Sequence, residues 1–140
     1  MNGRVVQGSA SFVPPKTTHH SKKIARMGKF SRLVDTPELT SAREVWMAVL
    51  RPFTPSAPLV GAIRAHVALT WPWRKGDAMR IRKEGPIPCT VKPDCDNAAK
   101  TIFDIMALLG FFSNDAQIYS LLVTKWFGDK PGLQFRLEEE

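Results

Sequence analysis

The sequence predicts an α/β (α+β) protein, in which a small mixed sheet is packed by two main helices within a single domain, residues 1–140. Three observations support this prediction. The chain has 140 residues, which is the usual size of one domain. Its apolar fraction of 44% is typical of a soluble globular protein. Stretches with strand and helix patterns follow one another, and proline or glycine separates them.

The first half of the chain is predicted to contain a strand, a basic loop, a helix and a second strand. Residues 4–13 have the composition of a strand, and two prolines end it. Residues 16–32 are basic and poor in apolar side chains, which predicts a loop. Thr36 is the expected cap of a helix that starts with proline and stops before Pro52. Apolar residues alternate from 59 to 73, which predicts a strand with one buried face.

The second half is predicted to contain a second basic loop, an extended segment, a helix and two strands. The basic loop covers residues 74–85. The helix runs from Asp96 to Gly110, where glycine is placed to end it. Residues 117–127 are rich in β-branched and apolar side chains, which predicts a strand. Residues 133–137 alternate and are predicted to close a hairpin with it.

Two acidic residues lie where the extended segment meets the second helix. Asp94 and Asp96 are two positions apart, so they share a face of an extended segment but diverge by about 200° on a helix. Pro93 disfavours helix immediately before it. Asp94 is therefore expected to end the extended segment, and Asp96 is expected to be the N-cap of the helix.

The acidic pair continues into a polar stripe. At about 100° per residue, Asn97, Lys100 and Asp104 fall on one side of the helix and apolar residues fill the other. Asp115 is expected at the edge of the next strand, where it joins the first two carboxylates if helix and strand pack side by side. Several carboxylates at one point repel one another, and a hard divalent cation such as Mg²⁺ removes the repulsion. The simpler alternative is that Asp96 is only a cap and that Lys100 and Asp104 are a surface ion pair.

Two short motifs lie at a fixed spacing in residues 92–125. The first is Lys-Pro-Asp-Cys-Asp-Asn, which starts at Lys92 and is followed by Lys100 and Phe103-Asp104. The second is Asn-Asp-Ala-Gln-Ile, which starts at Asn114 and is followed by Lys125. With Gly110-Phe111 between them, these motifs resemble the RusA family of Holliday junction resolvases.

The resemblance implies a Mg²⁺-dependent homodimer, with Mn²⁺ as a substitute, that cuts two opposed strands of a four-way DNA junction in recombination and repair. A two-fold dimer presents two metal sites with the symmetry of those strands. Small resolvases of this kind are often encoded by prophages. By position, the catalytic and metal-binding aspartates are Asp94, Asp96 and Asp115, the catalytic lysine is Lys100, and the supporting residues are Asn97 and Asp104.

The sequence also departs from the pattern of the resembled family. Many members carry an arginine run immediately before the first aspartate, and residues 88–93 hold no arginine here. Asn114 replaces an acidic residue that often precedes the third aspartate. These differences bear on junction affinity and substrate preference.

The distribution of charge predicts a polyanionic partner. The formal net charge is +7, although the central stretch and the C-terminus are acidic. The positive charge is therefore concentrated in the segments 16–32 and 74–85, the expected DNA-contacting loops. Ordinary solvated loops are the alternative. The side chains expected to contact DNA are Lys22, Lys23, Arg26, Lys75, Arg80, Arg82, Lys92 and Lys125.

Two other functions stay open from the sequence. One is a nuclease for other branched DNA, such as flaps or forks. The other is a non-catalytic basic DNA-binding protein whose aspartates are caps and salt-bridge partners. The chain has no apolar run long enough to span a membrane and no signal-peptide core in residues 1–10, which predicts a cytoplasmic protein. Cys89 and Cys95 lack C-x-x-C spacing, which fits a reducing compartment.

Overall fold

The computed structural model describes residues 3–17, 22–27 and 30–140, with the backbone alone at 22–27 and 30–35. The strands are β1 (Val5–Ser11), β2 (Lys22–Met27), β3 (Phe30–Asp35), β4 (Ile63–Pro72), β5 (Ile87–Pro88), β6 (Ile118–Gly128) and β7 (Gly132–Glu139). The α-helices are α1 (Pro37–Leu50), α2 (Met79–Lys83) and α3 (Cys95–Leu109), and short 3₁₀ turns cover Arg51–Phe53 and Asp115–Gln117.

Five of these strands form a mixed sheet in the order β1-β7-β4-β6-β5. β4 and β6 run parallel, with Val67 opposite Val123. β7 runs antiparallel to both β1 and β4. β2 and β3 form a separate antiparallel pair. A small mixed sheet combined with two long helices confirms the predicted α+β fold class.

The last two strands are not a hairpin, so the predicted pairing of residues 133–137 with 117–127 is wrong. β4 lies between β6 and β7 and pairs with both of them. The alternation of Leu133, Phe135 and Leu137 correctly predicts a strand with one buried face, and all three side chains are buried. Alternation determines which face of a strand is buried, but it does not determine which strand lies alongside.

Both segments predicted to be basic loops contain regular structure, and the loop prediction is wrong there. Within residues 16–32, β2 and the start of β3 form a two-stranded ladder, while 18–21 and 28–29 lie outside the described residues. Within residues 74–85, α2 forms a short helix. Basic composition indicates exposure to solvent, which short strands and helices at a surface also provide.

The long helices share one core with the sheet. Thr36 caps α1 as predicted, because its Oγ1 accepts a hydrogen bond from the Leu39 N–H at 3.2 Å. Trp46 and Leu50 of α1 are buried in the same cluster as alternate side chains of β4 and the apolar side of α3. Within the described part of the chain, no helix is both long enough and apolar enough to cross a lipid bilayer.

Candidate functional site

The start of α3 presents two carboxylates. Asp94 is the N-cap, with extended backbone angles (φ −65°, ψ 151°), and Asp96 lies in the first turn. The prediction that Asp96 is the N-cap is therefore wrong by two residues. An N-cap needs extended backbone, and Asp94 already has that conformation directly after Pro93. Both carboxylates are exposed and make no hydrogen bond or ion pair with another described residue.

The rest of α3 divides into two sides as predicted. Lys100 is exposed, and Asn97 and Asp104 are half-buried. Gly110 ends the helix in the left-handed conformation at φ 96°, which glycine adopts without strain. The buried side consists of Ala98, Ala99, Thr101, Ile102, Phe103, Ile105 and Met106. Packing of this side on the core turns the polar stripe outward.

Lys100 lies between two carboxylates from different elements. Its Nζ is 2.9 Å from Asp104 Oδ1, one turn along α3, and 2.6 Å from Asp115 Oδ2, in the 3₁₀ turn before β6. The hydrogen bonds to Asp115 and then Asp104 raise the pKa of Lys100 above its usual value of 10.5. The ammonium group is therefore charged at neutral pH. The expected pair of Lys100 and Asp104 is present, and Asp115 joins it.

The turn that carries Asp115 is held by the amide side chains of Asn114 and Gln117. Gln117 Oε1 accepts hydrogen bonds from the backbone N–H groups of Ser113 and Asn114 at 3.0 and 3.1 Å. Gln117 Nε2 donates to the carbonyl oxygens of Leu59 and Gly61, both at 3.0 Å. Gln117 has no role that is predicted from the sequence, because its carbonyl acceptors lie more than fifty residues away in the chain.

A lysine of β6 holds the segment that leads into α3. Lys125 Nζ donates to the carbonyl oxygens of Val91 at 2.7 Å and Pro93 at 2.6 Å. The backbone carbonyl of Lys125 also accepts a hydrogen bond from Cys89 N–H at 2.9 Å. Lys125 is among the side chains predicted to contact DNA, whereas its ammonium group contacts protein backbone.

The three aspartates expected to bind metal do not form one group. Among the residues that the structure describes, no three His, Cys, Asp or Glu side chains are close enough together to hold a metal ion. Asp115 is paired with Lys100, which lies one helical turn beyond Asp96. In donor chemistry the set fits a hard divalent cation, because Asp94 and Asp96 are accessible oxygen donors that bond to no other residue the structure describes. Their assignment as ligands stays a prediction.

The predicted DNA-contacting side chains differ in their surroundings. Lys75, Arg80 and Lys92 are exposed. Arg82 instead donates to the backbone carbonyls of Asp77 and Arg74, at 2.9 and 3.0 Å. It therefore braces its own loop. The side chains of Lys22, Lys23 and Arg26 lie outside the described residues, although all three positions belong to β2.

Comparison with known proteins identifies the family. The search of curated proteins gave no match. A sequence model of one family, described as endodeoxyribonuclease RusA, matches residues 13–138. The match spans α1, α3 and β6, with all the candidate site residues, and it confirms the resemblance that the two motifs indicated. The chain therefore belongs to the RusA endodeoxyribonuclease family.

Proposed function

We propose that this protein is a Mg²⁺-dependent, structure-specific endodeoxyribonuclease that resolves Holliday junctions by paired symmetrical incisions during DNA recombination and repair. Family membership supports the endonuclease class. The observation that carries the proposal is the pairing of Lys100, one turn beyond Asp96 on α3, with Asp115 of the turn before β6. The same helix presents Asp94 and Asp96 at its start.

Asp94, Asp96 and Asp115 are the proposed ligands of the divalent cation, either Mg²⁺ or Mn²⁺. Carboxylate oxygens are the donors that both ions accept, and the two carboxylates of α3 are accessible to solvent. A bound divalent cation polarises a phosphoryl oxygen and lowers the pKa of a water molecule. Asn97 and Asp104 support the site, since Asp104 helps to hold the Lys100 ammonium group.

Lys100 is proposed to stabilise the charge that develops on the phosphate during cleavage. Its ammonium group has three N–H donors, and Asp115 and Asp104 accept two of them. One donor remains for a phosphate oxygen. The raised pKa keeps this group protonated throughout the neutral range, so it acts as a fixed positive charge and not as a base.

The basic surface is proposed to position the DNA backbone without reading its sequence. Lys92 precedes the acidic pair by two residues, and Lys75 and Arg80 lie on the exposed segment around α2. Lys22, Lys23 and Arg26 of β2 belong to the same proposed surface, and Arg82 orders the α2 segment through its backbone contacts. A two-fold homodimer would present two sites to two opposed strands.

The proposal is tested with a labelled synthetic four-way junction, incubated with and without Mg²⁺. We expect two symmetrical incisions that require the metal. Asp96→Asn is expected to abolish cleavage while retaining junction binding, because it removes a proposed ligand and one negative charge near the phosphate. Glu44→Gln, which changes the net charge equally at an exposed residue of α1, is the matched control and should cut normally. Wild-type cleavage by Asp96→Asn would refute the role of this residue.

The same assay decides between the two alternative functions. A nuclease for other branched DNA would make single incisions on flaps or forks in preference to paired incisions on junctions. The absence of arginine in residues 88–93 favours this alternative. Binding without any metal-dependent incision would indicate a non-catalytic DNA-binding protein. That alternative is favoured by the separation of the three aspartates within the described part of the chain.

A further inference from the structure

The segment between β5 and α3 carries the proposed metal ligand Asp94 at its end. Main-chain pairing with β6 extends from Ile87 and Pro88 to the N–H of Cys89. Beyond that point the chain leaves the sheet, and Pro93 has no N–H with which to hold it. In this segment the carbonyl oxygens of Val91 and Pro93 both accept hydrogen bonds from the Lys125 ammonium group, and the Cys89 thiol makes a longer contact of 3.7 Å with the Val91 carbonyl.

The geometry of Lys125 is that of an internal contact. Its Nζ lies 2.7 Å from the Val91 carbonyl oxygen and 2.6 Å from the Pro93 carbonyl oxygen, on the two sides of Lys92. Two of the three ammonium donors are therefore used by the protein's own backbone. The side chain is half-buried, and it projects from β6, which lies between β4 and the short edge strand β5.

We propose that Lys125 is a positioning residue that fixes the location of Asp94, and that it does not contact DNA. The Pro93 carbonyl belongs to the peptide unit that links Pro93 to Asp94, so a hydrogen bond to it fixes the backbone at the N-cap of α3. The proposal deepens the proposed function and rests on it for its catalytic consequence. The effect of Lys125 on the backbone is independent of that function.

The effect on the backbone is tested by hydrogen exchange measured by mass spectrometry on Lys125→Met. Peptides that cover residues 95–103, at the start of α3, are expected to exchange at least about 10-fold faster than in the wild type, because the bond from Ala98 N–H to the Asp94 carbonyl loosens when the N-cap is no longer held. Lys130→Met removes the same charge from an exposed site and is expected to leave these peptides unchanged. Unchanged exchange at residues 95–103 in Lys125→Met would overturn the proposal, and so would an equal increase throughout β4, β6 and β7.

The consequence for function is tested by separating junction binding from cleavage. In Lys125→Met the cleavage rate constant of the bound complex is expected to fall by about 10- to 100-fold, as when a residue that supports a metal ligand is removed. The junction dissociation constant and its dependence on salt concentration should match the wild type. A direct phosphate contact predicts instead that the slope of log K against log salt falls by about 0.9, with a smaller effect on cleavage.

The two failures can be told apart. If the wild type cuts no junction in the presence of Mg²⁺, the proposed function fails, and the exchange measurement still decides whether Lys125 holds the segment. If the wild type cuts junctions and Lys125→Met cuts them at the same rate, the proposed function stands and the positioning role is overturned.

Discussion

Gln117 connects the turn that carries Asp115 to the segment before β4, and its removal should have a measurable cost. Its amide group is fully used, with two hydrogen bonds accepted from Ser113 and Asn114 and two donated to Leu59 and Gly61. The substitution Gln117→Leu keeps the approximate size of the side chain and removes all four. The change therefore isolates the hydrogen bonds from packing.

The size of the effect follows from the exposure of the four partners. Each hydrogen bond contributes about 0.5–1.5 kcal/mol to stability, but partners that water can reach recover much of the loss. Ser113 and Asn114 are exposed, so their N–H groups can bond to water. Leu59 is buried, and its carbonyl oxygen loses a partner that water replaces poorly. We expect a loss of about 1–3 kcal/mol, which corresponds to a decrease in Tm of roughly 3–9 °C for a domain of this size.

Thermal unfolding followed by circular dichroism measures this prediction, with urea unfolding as a second method. Gln134→Leu is the matched control, because Gln134 is an exposed residue of β7 and makes no hydrogen bond through its side chain to another described residue. The control should unfold within about 0.5 kcal/mol of the wild type. An unchanged Tm in Gln117→Leu would show that the four hydrogen bonds do not hold the turn, and the reasoning would then be wrong.

The remaining predictions concern the ion pairs of Lys100 and of Arg74. Lys100→Met should reduce junction cleavage by more than about 10²-fold, because it removes the proposed charge-stabilising group, yet change unfolding free energy by no more than about 1 kcal/mol. Solvent weakens these pairs, because the side chains are partly exposed: 46% for Lys100, 39% for Asp104 and 32% for Asp115. A large loss of stability in Lys100→Met would contradict this small expected contribution. The hydrogen bond from Arg74 lowers the pKa of Asp77 below its usual value of 3.8. The ionised carboxylate therefore contributes to stability above pH 3.8, and this contribution is lost as the pH falls through the lower pKa of the folded protein. The free energy of unfolding of Arg74→Met should therefore lack this pH-dependent contribution. Parallel acid-unfolding curves for Arg74→Met and the wild type would contradict the assignment of the pKa shift to Arg74.

The elements whose signals are local could be predicted from the sequence. The Thr36 cap lies within three residues of its partner Leu39, and the left-handed Gly110 directly follows the helix that it ends. The polar and apolar sides of α3 follow from helical spacing, which is also local. The two motifs around Asp94 and Asp115 have a fixed spacing, and they identified the family that the comparison confirmed. The position of the N-cap was missed by two residues, because either aspartate has the chemistry of a cap.

Which elements lie beside one another depends on the packing of the whole chain and could not be predicted from the sequence. The sequence places β6 and β7 next to each other, yet β4 separates them in the sheet. Lys125 meets the carbonyls that it binds across more than thirty residues of chain, and Gln117 meets Leu59 and Gly61 across more than fifty. Periodicity and spacing report only which face of an element is buried. The partners of a lysine or an amide side chain depend on how the elements pack, since backbone carbonyls are present at every residue and leave no signal in the sequence.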